Sequence, residues 1–228
     1  GSFDQYNTLY ADARKWLNEG WIDYYSPQLY WPINQLLQSY PLLLGWWNKE
    51  NIKGRHLWPG ISIGRQQGDK ATDEAINEIM IARGILPQSP GVVHWSIGSL
   101  VYSPEMTKAI SEGPYKRKAL VPPSPWLDKK SPAPPEVNLS PEKDTMRISW
   151  SHENPGDIAR WVVYYKYGPQ WKYDILGSTI ASYKIQEFVV NQTFLSRTDP
   201  QTIKNIKDVL IPLDTIAVSA VDRYGNES

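Results

Sequence analysis

The stretch Trp21-Ile22-Asp23-Tyr24-Tyr25-Ser26-Pro27-Gln28-Leu29-Tyr30, followed by Trp31-Pro32, decides how the first half of the chain is read. Side chains along a strand alternate between two faces. Ser26, Gln28 and Tyr30 therefore share one face and Leu29 takes the other. The pattern recurs twice. In Gly60-Ile61-Ser62-Ile63-Gly64, the two isoleucines oppose Ser62 and Gly64. In Val92-Val93-His94-Trp95-Ser96-Ile97, Val93 and Trp95 are expected to oppose His94 and Ser96. Each strand thus has an apolar face for helices and a small or polar face pointing elsewhere. A doubly wound sheet wants both faces apolar, whereas a polar face beside the strand ends fits the mouth of a (β/α) barrel.

Helical stretches precede and separate these strands. Asp4 is placed to cap a helix that buries Leu9, Ala13, Trp16 and Leu17 and stops at Gly20. After Pro32, Ile33, Leu36, Leu37 and Tyr40 follow at helical spacing until Pro41 interrupts before Trp46-Trp47. Thr72 is placed to cap a helix carrying Ile76, Ile79 and Met80, with Gly84 behind it, and a last stretch runs from Ser103 to Glu112. Strands separated by helices in this way predict a parallel sheet with right-handed crossovers.

The periodicity changes across Val121–Pro135, where six of fifteen residues are proline and an extended connector is expected. Beyond it, Arg147–Trp150, Trp161–Tyr165, Lys184–Val190, Val209–Ile211 and Ile216–Val221 alternate or run apolar between turn residues, the pattern of a small β-sandwich. The chain therefore divides into residues 1–125, a proline-rich linker at 126–134, and a sandwich at 135–228.

Composition narrows the function. With 24 basic and 24 acidic side chains, the 228 residues lack the basic excess of a phosphate-gripping nucleic-acid binder or a polybasic membrane-surface protein. There is no cysteine, hence no disulfide, thiolate metal site or cysteine nucleophile. His56, His94 and His152 are far apart and lack metal-ligand spacing, so no metal or other cofactor is expected. The 11 Trp and 14 Tyr against 3 Phe give most rings a polar edge, suited to half-wet surfaces and sugar faces as well as to cores.

Leu9–Trp16, Gly20–Tyr24, Pro27-Gln28-Leu29-Tyr30-Trp31, Gly60–Gly64 and Gly91-Val92-Val93-His94-Trp95-Ser96 with Ser99-Leu100 resemble the glycosyl hydrolase-like 10 family. These are bacterial, often lipid-anchored envelope proteins with a TIM-barrel glycoside hydrolase domain. The resemblance implies that the first part is the last three βα units of a (β/α)8 barrel, strands six to eight, the others lying upstream. It also implies a cell-envelope location and a cell-wall or related polysaccharide as partner. Any membrane tether would be a lipid anchor upstream of residue 1. Pro134-Pro135, Ile148-Ser149-Trp150, Trp161–Tyr164 and Ala217–Ser228 resemble a fibronectin type III module that ends where its final strand would begin.

Glycoside hydrolysis uses two carboxylates roughly 5–10 Å apart. None of the three strand ends carries Asp or Glu. Asp23 lies early in its strand, Glu50 lies far behind, and Asp69 reads more simply as a solvated loop or helix-start charge, so the catalytic residues are left unassigned. The residues suited to a sugar cleft are Gln28 and Tyr30 as hydrogen-bonding groups, Trp31 as a platform, Arg65 as a charged donor and His94 as a titratable edge. Gln28 and Tyr30 equally fit an interior polar layer, and a hydrogen-bonded core histidine is the plainer reading of His94. The sequence thus points to an inactive fragment of a hydrolase that lines a sugar cleft. The alternative is a non-catalytic carbohydrate-binding or adaptor protein with Trp31, Trp46 and Trp47 as platforms. Three strands leave open edges, so self-association is also expected.

Overall fold

The structure, a computed structural model, describes residues 4–64, 69–193 and 207–228. The chain forms two units, residues 1–118 and 119–228.

In the first unit Asp4 caps α1 (Gln5–Leu9), accepting from the N–H groups of Tyr6 and Asn7. The long helix expected up to Gly20 is broken, because Tyr10 adopts a left-handed conformation and Asp12 starts a new helix by accepting from Lys15 N–H. That helix, α2 (Ala13–Glu19), ends at left-handed Gly20 as the sequence indicates. β1 is short (Tyr24–Tyr25), with Gln28 bridging separately to Gly60. Pro27 has no N–H and cannot donate to a ladder between them.

Residues 31–39 do not form the helix expected after Pro32, and Leu36 and Leu37 are exposed. A helix running on from there would carry Pro41 in its interior, where the ring clashes with the preceding turn. Instead α3 (Tyr40–Glu50) begins at Tyr40, with Pro41 in its tolerant first turn. The second strand starts earlier than expected, as β2 (His56–Leu57) and β3 (Gly60–Ser62). α4 (Asp69–Ile85) starts before Thr72 and runs past Gly84, and β4 is Val93–Trp95. α5 (Ile97–Tyr102) and α6 (Pro104–Glu112) meet at Ser103.

The pairings are parallel: Tyr24 with His56, Tyr25 with Leu57, Gln28 with Gly60, Gly60 with Val93, and Ser62 with Trp95. Three segments that follow one another in sequence are thus neighbours in space. Behind them Leu29, Leu44, Leu57, Ile61, Ile63 and Ile79 form a common core. Ala71, Ala75 and Ala82 on α4 belong to it, their small side chains letting the helix approach the strands closely.

In the second unit β5 (Glu136–Glu142), β6 (Thr145–Ser151) and β9 (Ser182–Gln186) form one antiparallel sheet. β7 (Ile158–Tyr167), β8 (Gln170–Gly177), β10 (Phe188–Thr193) and β11 (Lys207–Asp222) form the other, in the order β10-β11-β7-β8. Lys184–Val190, expected as one strand, divides between β9 and β10, while the two segments expected at Val209–Ile211 and Ile216–Val221 are one strand with a register shift near Leu213. Ile148 and Trp150 from one sheet pack with Trp161, Val163, Val218 and Ala220 from the other. After β11 the chain reverses through Gly225, and Glu227 pairs back with Val221. The proline-rich segment is docked on this unit: Leu120 packs on Val162, Ile175 and Val221, and Ser124 N–H donates to the Tyr224 carbonyl at 2.8 Å.

Trp161 is 3% exposed, lies 5.9 Å from Trp150 between ring centroids, and donates its indole N–H to Ser178 O at 3.0 Å. Trp161→Ala is expected to cost about 3–5 kcal/mol. Urea unfolding followed by circular dichroism checks this; an unchanged midpoint would show that the ring is not part of the stabilising core.

Candidate functional site

The parallel register sets which side chains stand together at the strand ends. Ser62 is level with Trp95, and the rings of Tyr30 and Trp95 stack with centroids 6.3 Å apart at 23°. The ring of Tyr30 reaches this position across Gly60. A Cβ on Gly60 would lie 3.3 Å from Tyr30 Cε1 and 3.5 Å from Pro27 O, so a side chain there would press on both ring and backbone. Gln28 is exposed on the same face, and Trp95 is 61% exposed. The result is a surface of planar rings beside an amide and a hydroxyl, which combines apolar contact with directed hydrogen bonds.

Trp31 is half-buried and lines a cavity of about 10 Å³ with Tyr30, Ser62, Glu74 and Glu78, room for no more than a water molecule. Arg65 lies outside the described residues. His94 is on the opposite face from the one expected, because the register sets it beside Ile61 rather than Ser62. There its Nε2 meets the Tyr115 hydroxyl at 2.7 Å, and burial pushes its pKa below the usual value. Alternation gives the period of a strand but not its phase, and the apolar Val93 and Trp95 misdirect the assignment. Trp47 packs on Tyr25 at 4.6 Å from α3, with Trp46 edge-on to it, so this pair belongs to the helix side and does not join Tyr30 and Trp95.

The carboxylates divide clearly. Glu50 is tied to Arg14 at 2.6 Å and to Asn18, and the Arg14 bond is the main reason its pKa is lowered. Asp69 begins α4, and its side chain lies outside those described. The groups overlooked in the sequence are Glu74 and Glu78, one turn apart on α4. Glu78 is only 5% exposed, and burial, with the charge of Glu74 adding to it, pushes its pKa up to about 8. The signal was present: Glu78 interrupts the small apolar stripe of Ala71, Ala75 and Ala82. Among the described residues, no cluster of His, Asp or Glu could hold a metal ion.

Residues 2–73 match the family model described as glycosyl hydrolase-like 10, which bears out the resemblance seen in the sequence. Glycosyl hydrolase YngK of Bacillus subtilis (strain 168) is 29% identical over 236 residues, covering 98% of this chain and 43% of YngK. Glycosyl hydrolase DigH of Escherichia coli (strain K12) is 43% identical over 42 residues, 18% of this chain and 10% of DigH. The chain thus spans less than half the length of YngK. Among solved structures, the spore cortex lytic enzyme SleM of Clostridium perfringens aligns over 97% of this chain and 82% of its own at 12% identity. Its TM-score of 0.30 is too low to assign a common fold.

The state of Glu78 has a measurable consequence. In the folded chain it loses its proton near pH 8, against 4.5 for an ordinary glutamic acid. The folded state therefore binds the extra proton between those values, and its stability falls as pH rises through that window. Glu78→Gln keeps the shape of the neutral acid, so its melting temperature relative to wild type is expected to climb from about pH 4.5 to 8 and then level off. Paired thermal melts across that range test this, and a difference that stays flat would show that Glu78 does not hold the proton.

Proposed function

We propose that the chain is part of a bacterial glycoside hydrolase acting on a cell-wall or related polysaccharide, and that it supplies one wall of the sugar-binding cleft rather than the catalytic pair. The observation that carries this is the Tyr30–Trp95 ring pair beside Gln28 and Ser62, at the ends of parallel strands in a chain whose residues 2–73 match the family model. Gln28, Tyr30 and Trp31, with Arg65 next in line after the second strand, are the proposed sugar contacts. Trp95 joins them, and His94 supports its strand from behind. Among the described residues the strand ends offer no carboxylate, and Glu74 and Glu78 face a cavity too small to admit a sugar ring.

The parallel neighbours in sequence order support reading the first unit as the last three βα units of a (β/α)8 barrel. The three-plus-four antiparallel sheets support a fibronectin type III-like module after it. The envelope location and lipid anchoring of the whole protein follow from the family resemblance. A non-catalytic carbohydrate-binding or adaptor role is the second reading, and the lack of carboxylates at the strand ends favours it.

Soluble peptidoglycan glycan strands, freed of peptide, are expected to perturb the tryptophan fluorescence of the chain without being cleaved. Trp95→Ala should weaken this binding tenfold or more, the effect of removing an aromatic hot spot, while leaving the circular dichroism intact. Binding that ignores Trp95 would remove the cleft from this face, and sustained release of reducing ends would place the catalytic carboxylates within this chain.

The edges of β4 and of the segment around β1 have no further strand paired to them among the described residues, and Trp95, Ile97 and Val101 are exposed. The chain alone is therefore expected to self-associate. Sedimentation velocity should show mass rising with concentration, and a compact monomer throughout would count against it.

A further inference from the structure

Pro32 has no N–H, so Ile33 carries the first backbone donor after Trp31. That donor does not bond within its own segment. Oε1 of Glu74 accepts it at 2.7 Å, from α4, 41 residues further along the chain. The Ile33 carbonyl is held as well, accepting the Ser39 hydroxyl at 3.0 Å. The residues between Trp31 and α3 form no helix of their own, and the tether from Glu74 reaches the chain two residues past the Trp31 ring.

We propose that Glu74 is a positioning residue for the Trp31 platform: its carboxylate clamps the Ile33 N–H and so fixes the angle at which Trp31 meets a glycan. The inference deepens the sugar-cleft reading above and rests on it. Three observations support it. The bond crosses from a helix packed on the core to an irregular segment, so it fixes a position that local structure leaves open. A hydrogen bond to a carboxylate is stronger and shorter than a neutral one. Glu78, one turn away along the same cavity, is pushed up to about 8, so near neutral pH it adds no second charge beside the carboxylate of Glu74.

The test uses the whole chain, its Trp31 indole and Ile33 amide resonances assigned by NMR, with peptide-free glycan strands as the probe. In Glu74→Ala both resonances are expected to shift and broaden while those of the second unit stay in place. Glycan affinity should fall about tenfold, the equivalent of one net hydrogen bond. Glu74→Gln, which keeps an acceptor for Ile33, should restore the Trp31 resonance and most of the affinity. Should Glu74→Ala fail to fold, Glu74→Gln still decides the matter. The Ile33 amide is expected to move upfield in Glu74→Gln, as a charge-assisted hydrogen bond becomes a neutral one. Trp31 and Ile33 resonances unmoved by Glu74→Ala, or an Ile33 amide unmoved in Glu74→Gln, would overturn the proposal. If Trp31 responds to Glu74→Ala but neither protein responds to glycan, the positioning role stands and the sugar-cleft reading fails.

Discussion

Gly60 joins the parallel segments of the first unit. Its N–H donates to the Pro27 carbonyl at 2.8 Å, its carbonyl accepts from Leu29 N–H at 3.0 Å, and it stands in register with Val93. The strand containing it is therefore laced to both neighbours at one residue. The same position has to lack a side chain, because the Tyr30 ring passes over it on the way to Trp95. Register and ring placement are thus one constraint. Shifting the ladder by one residue would turn every side chain to the other face and separate Trp95 from Ser62.

Behind that face the structure sets acidic groups to unequal tasks. Glu50 is drawn into an ion pair with Arg14, Glu74 holds a backbone amide, and Glu78 sits nearly sealed beside a water-sized cavity. Two neighbouring carboxylates invite a catalytic reading, but geometry comes before acidity. An acid that no sugar can reach cannot act on one, however far its pKa is raised.

Much of the first unit was legible because helix stops and core faces are local properties. Asp4, Gly20, Ile61, Ile63 and Ile79 behave as their spacing indicates. What was not legible depends on single backbone conformations or on partners distant in sequence. The break at Tyr10 needs a left-handed residue that no composition rule marks, and the uncoiled stretch after Pro32 is held by Glu74 across 41 residues. The face of His94 was misassigned because it depends on the register with β3, in which Ile61 is its partner. In the second unit the strands were visible, but the continuity of β11 through Pro212 was not, since proline normally reads as an interruption.

The docking of the proline-rich stretch changes where the second unit can be cut free. Gly225 turns with a φ of 84°, and a Cβ there would lie 2.9 Å from the Val121 carbonyl and 3.0 Å from Pro123 Cα. Asn226 also reaches the Asp128 carbonyl at 3.4 Å. A boundary drawn by composition, just past the last proline, would strip away Leu120 and uncover Val162, Ile175 and Val221. The segment that looks most like a tether in the sequence is, for anyone trimming this protein for expression, a strip of the second unit's own surface.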